Sequence, residues 1–318
     1  MLYPIILLLV GFVLLIVGAN WLVDGATSLA KKYGISDLTI GLTIVAFGTS
    51  APELIVNIMA ASEGHQSIVL GNIVGSNNFN LFFILGLTGL ITPIVVQSTT
   101  VWKEIPFSIL AALLLYLLSN ELIFSEEPLL SRIDGIILLI FFGLFMMYVY
   151  QQLNADQSTQ ITKKVNTPKW KVIALILIGF IGLVAGGRLV MNNAILLATE
   201  LGVNEKIIAL TIVAAGTSLP ELATSIIAAI KKNNDIAVGN VIGSNIFNIF
   251  FILGGSTVIN SIYYDKTFNT DIYLLLGGTL FLFVAMFTGQ RKKLDRWEAG
   301  ILFIVYILYT IYLINAEL

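Results

Sequence analysis

The chain contains no cysteine and one histidine, and only 11% of its residues carry charge. Without cysteine there are no disulfides, no thiolate nucleophiles and no thiolate metal sites. The one histidine, His65, falls in a short connection between apolar runs and reads as a solvated loop residue, so zinc or copper has no imidazole cluster to use. An intramembrane hydrolase is disfavoured on similar grounds: there is no histidine base, no His-Glu-x-x-His metal motif and no aspartate dyad. What is abundant is the complement of what is scarce. Of 318 residues, 57% are hydrophobic and the mean hydropathy is +0.93, the composition of a polytopic membrane protein. The net charge of −2 is uninformative for such a chain, because where the charges sit matters more than their sum. The first apolar run, Ile5 to Val17, has no basic residue ahead of it and no small-residue cleavage site after it, and is read as a retained span.

Apolar runs long enough to cross about 30 Å of hydrocarbon number about ten. They cover roughly residues 4–29, 37–61, 69–91, 104–120, 133–151, 171–198, 206–230, 236–259, 271–288 and 297–315. With the N-terminus placed outside, the inner connections hold thirteen Lys and Arg residues, among them Lys31, Lys32, Lys163, Lys164, Lys231 and Lys232, against Arg132, Lys206 and Lys266 outside. The positive-inside rule therefore puts both termini on the extracytoplasmic side of a cell (plasma or inner) membrane. Arg188 lies inside the sixth run, about ten residues from its outer end, where snorkelling is the ordinary reading. Asp24 sits at the opposite depth and is not its partner.

The chain repeats itself. Gly48-Thr49-Ser50-Ala51-Pro52-Glu53 returns as Gly216-Thr217-Ser218-Leu219-Pro220-Glu221, and Gly71-Asn72 through Phe79-Asn80 returns as Gly239-Asn240 through Phe247-Asn248, all 168 residues later without a gap. Each half holds five runs, and an odd number obliges the second half to enter the membrane the other way up. The fold expected is an all-α membrane protein of ten transmembrane helices in two inverted-topology five-helix repeats, residues 1–151 and 170–318, joined by a polar cytoplasmic linker over 152–169 into one membrane domain.

A carboxylate and a proline at bilayer depth are each costly, and both occur twice. Thr43, Ala46, Ser50, Glu53 and Asn57 share one helix face, as do Thr211, Ala214, Ser218, Glu221 and Ser225; Asn72, Ser76 and Asn80 line the next span, and Asn240, Ser244 and Asn248 its copy. Pro52 and Pro220 deny an N–H to Gly48 and Gly216 and should bend or unwind each helix there, freeing carbonyls that a cation can bind. Carboxylates, hydroxyls, amides and carbonyls together form an oxygen-only cage, suited to hard cations such as Ca²⁺. Blander readings accompany these: glycines such as Gly71 and Gly75 as small-residue packing, serines bonded to their own helix, Asn72 and Asn240 as interhelix hydrogen-bonders, and the acids between Glu121 and Glu127 as solvated charge.

At these residues the chain resembles the cation/calcium exchanger superfamily, and most closely its prokaryotic sodium/calcium exchangers with two alpha-repeats. The resemblance implies that Glu53 and Glu221 hold Ca²⁺ centrally, and that Ser50, Ser76, Ser218 and Ser244, with backbone oxygens near Ala46, Thr49, Ala214 and Thr217, form flanking Na⁺ sites. It also implies that the first and sixth spans slide against the other eight. Some relatives carry aspartate where this chain has Asn248; here Asn80 and Asn248 complete the cage, leaving two formal negative charges and making potassium coupling less favoured. The function expected is therefore secondary antiport of Na⁺ for Ca²⁺ and not enzymatic catalysis, with no cofactor, no nucleic acid and no partner protein beyond the lipid bilayer. A cation/proton or K⁺-assisted exchanger and a cation channel are the alternatives. Protons would compete for both carboxylates, so transport should weaken at acid pH.

Overall fold

A computed structural model describes residues 2–120, 128–159, 168–201, 214–289 and 291–316. The expected acids between Glu121 and Glu127, the linker basics Lys163 and Lys164, Lys206 and Thr211 lie outside the described residues. Among those described, the first half comprises α1 (Leu2–Tyr33), α2 (Asp37–Thr49), α3 (Ala51–Glu63), α4 (Gln66–Ile91), β1 (Ile94–Val95), α5 (Thr100–Ser119), β2 (Leu129–Leu130) and α6 (Arg132–Thr159). The second comprises α7 (Lys169–Glu200), α8 (Ala214–Thr217), α9 (Leu219–Ile230), α10 (Asn234–Ile259), β3 (Ile262–Tyr263), α11 (Lys266–Ala285), β4 (Lys293–Leu294) and α12 (Arg296–Ala316).

Eight of these helices are long and apolar enough to cross a membrane: α1, α4, α5, α6, α7, α10, α11 and α12. The pair α2 and α3 passes the same test as one span bent by 48°. Burial ranks them. The most apolar stretch of α10 is 94% buried and that of α4 78%, against 28% for α1, 33% for α7 and 17% for α12, so α4 and α10 form the centre and the long outer helices keep a broad apolar face for lipid.

The two halves are interleaved at their ends. β1 pairs antiparallel with β4 (Ile94 opposite Leu294), and β3 with β2 (Ile262 opposite Leu130). Ile94 and Ile262 are themselves 168 residues apart, so the same strand in each half takes a partner from the other. α3 and α9 end alike, with left-handed residues Gly64 (φ 80°) and Lys232 (φ 60°) at the same offset.

Side chains divide into two apolar cores. The larger joins α4, α5, α6, α10, α11 and α12; the smaller joins α1, α7 and α9 with Ile40, Val45, Ile236 and Ala237. Within the smaller core α1 and α7 meet backbone to backbone. Gly11 faces Gly186, Gly18 faces Gly179 and Gly182, and Gly25 faces Ile176; a Cβ at Gly18 would fall 2.8 Å from the Leu183 nitrogen and 2.9 Å from the Gly179 carbonyl. The small-residue contact expected of Gly71 and Gly75 is not found among the described residues: the nearest atom to a Cβ at Gly71 is on the Phe268 ring at 3.8 Å, and nothing lies within 4 Å at Gly75. Their counterparts Gly239 and Gly243 do pack tightly, on Gly41, Leu42 and Ala46 of α2.

Candidate ion-binding site

Each Gly-Thr-Ser-x-Pro-Glu stretch interrupts its helix at the serine. Ser50 (φ −82°, ψ 8°) and Ser218 (φ −91°, ψ 10°) leave helical geometry, and the chain restarts with proline in the first turn, where its missing N–H costs nothing. The acid then sits in the first turn of α3 or α9, near the positive end of the peptide dipoles. The bend is thus centred on Ser50, at the C-terminal edge of the stretch where the proline was expected to act. Behind it Gly48 lies against the Phe180 ring and Gly216 against Met191, both from α7.

The two stretches meet, and they exchange partners. Ser50 donates to Glu221 Oε1 at 2.8 Å, while Ser218 donates to Glu53 Oε1 at 3.0 Å. Ser244 joins the first pair, 3.0 Å from Ser50 Oγ and 3.4 Å from Glu221 Oε1. Both carboxyl groups are only 1% exposed. The second oxygen of each, Glu53 Oε2 and Glu221 Oε2, is buried without a hydrogen-bond partner among the described residues, as are Ser76 Oγ, Asn80 Oδ1 and Asn248 Oδ1. A buried oxygen with an unused lone pair is costly unless something positive meets it. The donor set is hard oxygen throughout, and among the described residues no group of three or more acidic or histidine side chains gathers into a metal cluster. Other buried acids also have one local partner, Glu104 the Tyr148 hydroxyl and Asp134 the Ser131 N–H, and they too keep an unpartnered oxygen, so what sets Glu53 and Glu221 apart is that each is held by a serine of the other half.

The amides expected near the site divide by role. Asn72 accepts from Asn57 Nδ2 at 2.7 Å and donates to Thr217 at 3.3 Å; Asn240 mirrors it, donating to Ser225 at 3.0 Å and accepting from Thr49 at 2.9 Å. They tie each broken helix to its neighbours, as their interhelix reading anticipated. Thr43 donates to the Thr39 carbonyl of its own helix at 2.6 Å, the usual bond of a helical threonine. A wide π-helical turn over Gly41–Val45 changes the rotation per residue where the regular spacing was counted. The Ala46 carbonyl is not bare either: it takes the Ser50 N–H at 3.0 Å and the Thr49 hydroxyl at 3.3 Å, leaving one free direction at most. Two residues not singled out from the sequence also stand here. Asn77 and Asn245 cross-link α4 and α10, and their only signal was recurrence at the repeat offset.

The surroundings are unequal on the two sides. α1 packs along α9, and Lys231, just after α9, reaches Asp24 Oδ1 at 2.8 Å and the Asn20 carbonyl at 3.0 Å. Asn233 adds bonds to Thr27 at 3.0 Å and Asp37 at 3.1 Å. A larger cavity of about 580 Å³ lies at this end, lined by Asp24, Asp37, Lys231 and Asn233 among others, and a smaller one of about 70 Å³ lies between α7 and α3, lined by Pro52, Ile55, Arg188, Met191, Thr217 and Pro220 among others. Arg188 makes no hydrogen bond or ion pair with a described residue.

Known proteins match this chain along nearly its whole length. A family model described as sodium/calcium exchanger protein matches residues 3–151 and 171–315. CaxA of Alkalimonas amylolytica is 38% identical across 97% of this chain and 98% of its own, and the sodium/calcium exchanger MaX1 of Methanosarcina acetivorans is 30% identical across 97% of each. The solved structure of the sodium-calcium exchanger NCX_Mj superposes with a TM-score of 0.80 at 30% identity, covering 97% of both chains. The family match spans both halves and the structural likeness spans the whole fold, so this membrane protein belongs to the sodium/calcium exchanger protein family.

Proposed function

We propose that the chain is a secondary antiporter that exchanges Na⁺ for Ca²⁺ at the paired carboxylates of Glu53 and Glu221. The observation that carries this reading is the reciprocal exchange, in which each buried acid is held by the serine of the other half and turns one unpartnered oxygen away from that bond. Two carboxylates are balanced by one Ca²⁺ or by two Na⁺, so ions of similar radius compete for one set of oxygens. Left without a cation, two carboxylates in a dry pocket would be heavily penalised, which makes the unloaded carrier reluctant to change sides and enforces exchange over leak. The same carboxylates accept protons, and transport weakens as pH falls.

In this reading the ligand set is Glu53 and Glu221, the hydroxyls of Ser50, Ser218, Ser76 and Ser244, the amide oxygens of Asn80 and Asn248, and carbonyl oxygens of Thr49, Thr217, Ala46 and Ala214. The chain crosses the membrane ten times in two inverted five-helix repeats, 1–151 and 170–318, with 152–169 as a cytoplasmic linker and both termini extracytoplasmic. The cross-paired strands, the matched helix ends and the exchanged serines support that symmetry. The α1–α7 pair, joined backbone to backbone along its glycines, is the element that slides.

The test is calcium uptake into sodium-loaded proteoliposomes with the external monovalent cation varied. Uptake should collapse when internal sodium is replaced by choline. Uptake that ignores the sodium gradient and follows a pH gradient would overturn the reading.

A further inference from the structure

We infer that Asn77 and Asn245 are positioning residues that fix which atom Asn80 and Asn248 present to the transported cation. The argument starts from two backbone carbonyls, which can only accept. The Asn245 carbonyl receives Asn77 Nδ2 at 3.3 Å, so the other end of that amide, Asn77 Oδ1, points elsewhere. It faces Asn248, and being an acceptor it obliges Asn248 to offer Nδ2, at 2.9 Å. Asn248 Oδ1 is then forced to the opposite side, where it is buried without a partner. The other half repeats the sequence of constraints. The Asn77 carbonyl receives Asn245 Nδ2 at 3.3 Å, Asn245 Oδ1 receives Asn80 Nδ2 at 3.1 Å, and Asn80 Oδ1 is left buried and unpartnered.

All four amide orientations therefore follow from main-chain atoms that cannot flip. Asn248 stands one helical turn beyond Ser244, which touches both Ser50 and Glu221, and Asn80 stands one turn beyond Ser76. The ring thus delivers two neutral oxygens beside the two carboxylates. It also disfavours a third charge: an ionised aspartate at 80 or 248 would set acceptor against acceptor at Asn245 or Asn77. This selectivity role deepens the proposed exchange and rests on it.

The experiment compares wild type, Asn77→Ala, Asn245→Ala and Asn78→Ala for sodium-driven calcium uptake and melting temperature. Asn78 is an equally buried neighbour whose one side-chain bond goes to the Asp271 carbonyl, so it reports what losing a structural asparagine does. Without Asn77 the Asn248 amide is free to turn its N–H toward the cation, and the KM for calcium should rise about tenfold or more with the maximal rate within about threefold of wild type. Asn78→Ala should lower the melting temperature and leave KM alone. If Asn77→Ala fails to fold, Asn77→Ser, too short to reach the Asn248 amide, gives the same comparison. A KM equal to wild type in the Asn77 and Asn245 variants refutes the positioning role, whereas a wild type without sodium-driven uptake refutes the exchange reading instead.

An independent observation, the inequality of the two sides, carries a second inference. Along α1 and α7 the repeat register holds residue by residue: Gly11, Phe12 and Gly18 match Gly179, Phe180 and Gly186. In the same register Asn20 corresponds to Arg188, Asp24 to Asn192 and Lys231 to Glu63. The Lys231–Asp24 ion pair thus corresponds to Glu63 and the neutral Asn192, while the contact of Lys231 with the Asn20 carbonyl corresponds to Glu63 and Arg188, two side chains of opposite charge. Here Glu63 lies beside His65 at 3.6 Å, and Arg188 borders the smaller cavity. The geometry points to a pair of alternating latches: Lys231–Asp24, at the rim of the larger cavity, ties α1 to the end of α9 in the arrangement described, and Glu63–Arg188 ties α7 to the end of α3 in the opposite one.

Because the chain has no native cysteine, paired cysteines test this directly. Asp24→Cys with Lys231→Cys, bridged by a short bismaleimide that adds to both thiols, should trap a carrier that binds calcium only from outside. Glu63→Cys with Arg188→Cys should trap one that binds only from the cytoplasmic side, and the charge swap Glu63→Arg with Arg188→Glu should transport faster than either single change. Failure of the Glu63–Arg188 cross-link under every ionic condition, or both cross-links closing in one molecule, refutes the alternation.

Discussion

Changing Glu53 to glutamine should remove calcium transport while leaving the protein folded, and the structure sets the scale. The amide has the same shape, and its oxygen can still accept the Ser218 hydroxyl now 3.0 Å from Glu53 Oε1. What changes is the second position, the buried and unpartnered Oε2, which becomes an N–H aimed where a negative oxygen stood. The side chain is 1% exposed, so water does not screen it directly. Two unit charges about 4 Å apart interact by about 4 kcal/mol at an effective dielectric of about 20, and a divalent ion doubles this to about 8 kcal/mol. If the smaller desolvation cost of the amide offsets half, about 4 kcal/mol remains, about a thousandfold in calcium affinity. For Na⁺ the same reasoning leaves about 2 kcal/mol, about thirtyfold, so the variant should lose preference for calcium as well as affinity. The assay is the concentration dependence of radiolabelled calcium uptake, with sodium as competitor and melting temperature as the control for folding. A calcium KM within about threefold of wild type in either Glu53→Gln or Glu221→Gln would reduce these carboxylates to packing groups.

Two further substitutions probe how the site is carried. Gly18→Ala places a Cβ 2.8 Å from main-chain atoms of α7 and should destabilise by about 1–3 kcal/mol, seen as a lower melting temperature, whereas Gly143→Ala, with open space around it, should be neutral. Gly48→Ala meets the Phe180 ring at 1.9 Å and should slow turnover; adding Phe180→Ala removes the clash and should restore the rate, and no rescue would mean that the glycine is needed for its backbone alone.

Much of this candidate site was legible in the one-dimensional chain because the repeat prints each proposed ligand twice. Glu53 and Glu221, the serines beside them and the proline that ends the bend are all at their expected places. What a helical wheel does not contain is the partner across the interface. It put Ser50 with Glu53 because they share a face, whereas the bond goes to Glu221 of the other half. It also assumed a constant rotation per residue, which the π-helical turns over Gly41–Val45, Phe79–Ile84 and Phe247–Leu253 violate. Asn77 and Asn245 were passed over for a related reason. They contribute no atom that a cation would be expected to meet, and their role exists only as a hydrogen-bond geometry between two crossing helices. The glycines of α1 and α7 were visible as glycines, but only the packed pair shows that they face one another.

That backbone-to-backbone seam has a consequence for the membrane itself. α1 and α7 are each 32 residues long, about 48 Å of helix, against about 30 Å of hydrocarbon. Joined along glycine, they must tilt together, and their outer faces present Leu9, Val13 and Ile16 beside Ile173, Leu177 and Ile181 to the acyl chains. If this pair travels relative to the other helices, its hydrophobic mismatch changes during every cycle, and the lipid shares in the energy difference between the two end states. Turnover in phosphatidylcholine vesicles should therefore pass through a maximum as acyl length grows from about fourteen to about twenty-two carbons, with calcium affinity nearly constant. Bilayer thickness would then act on this carrier as a control parameter, reached through two helices that bind no ion.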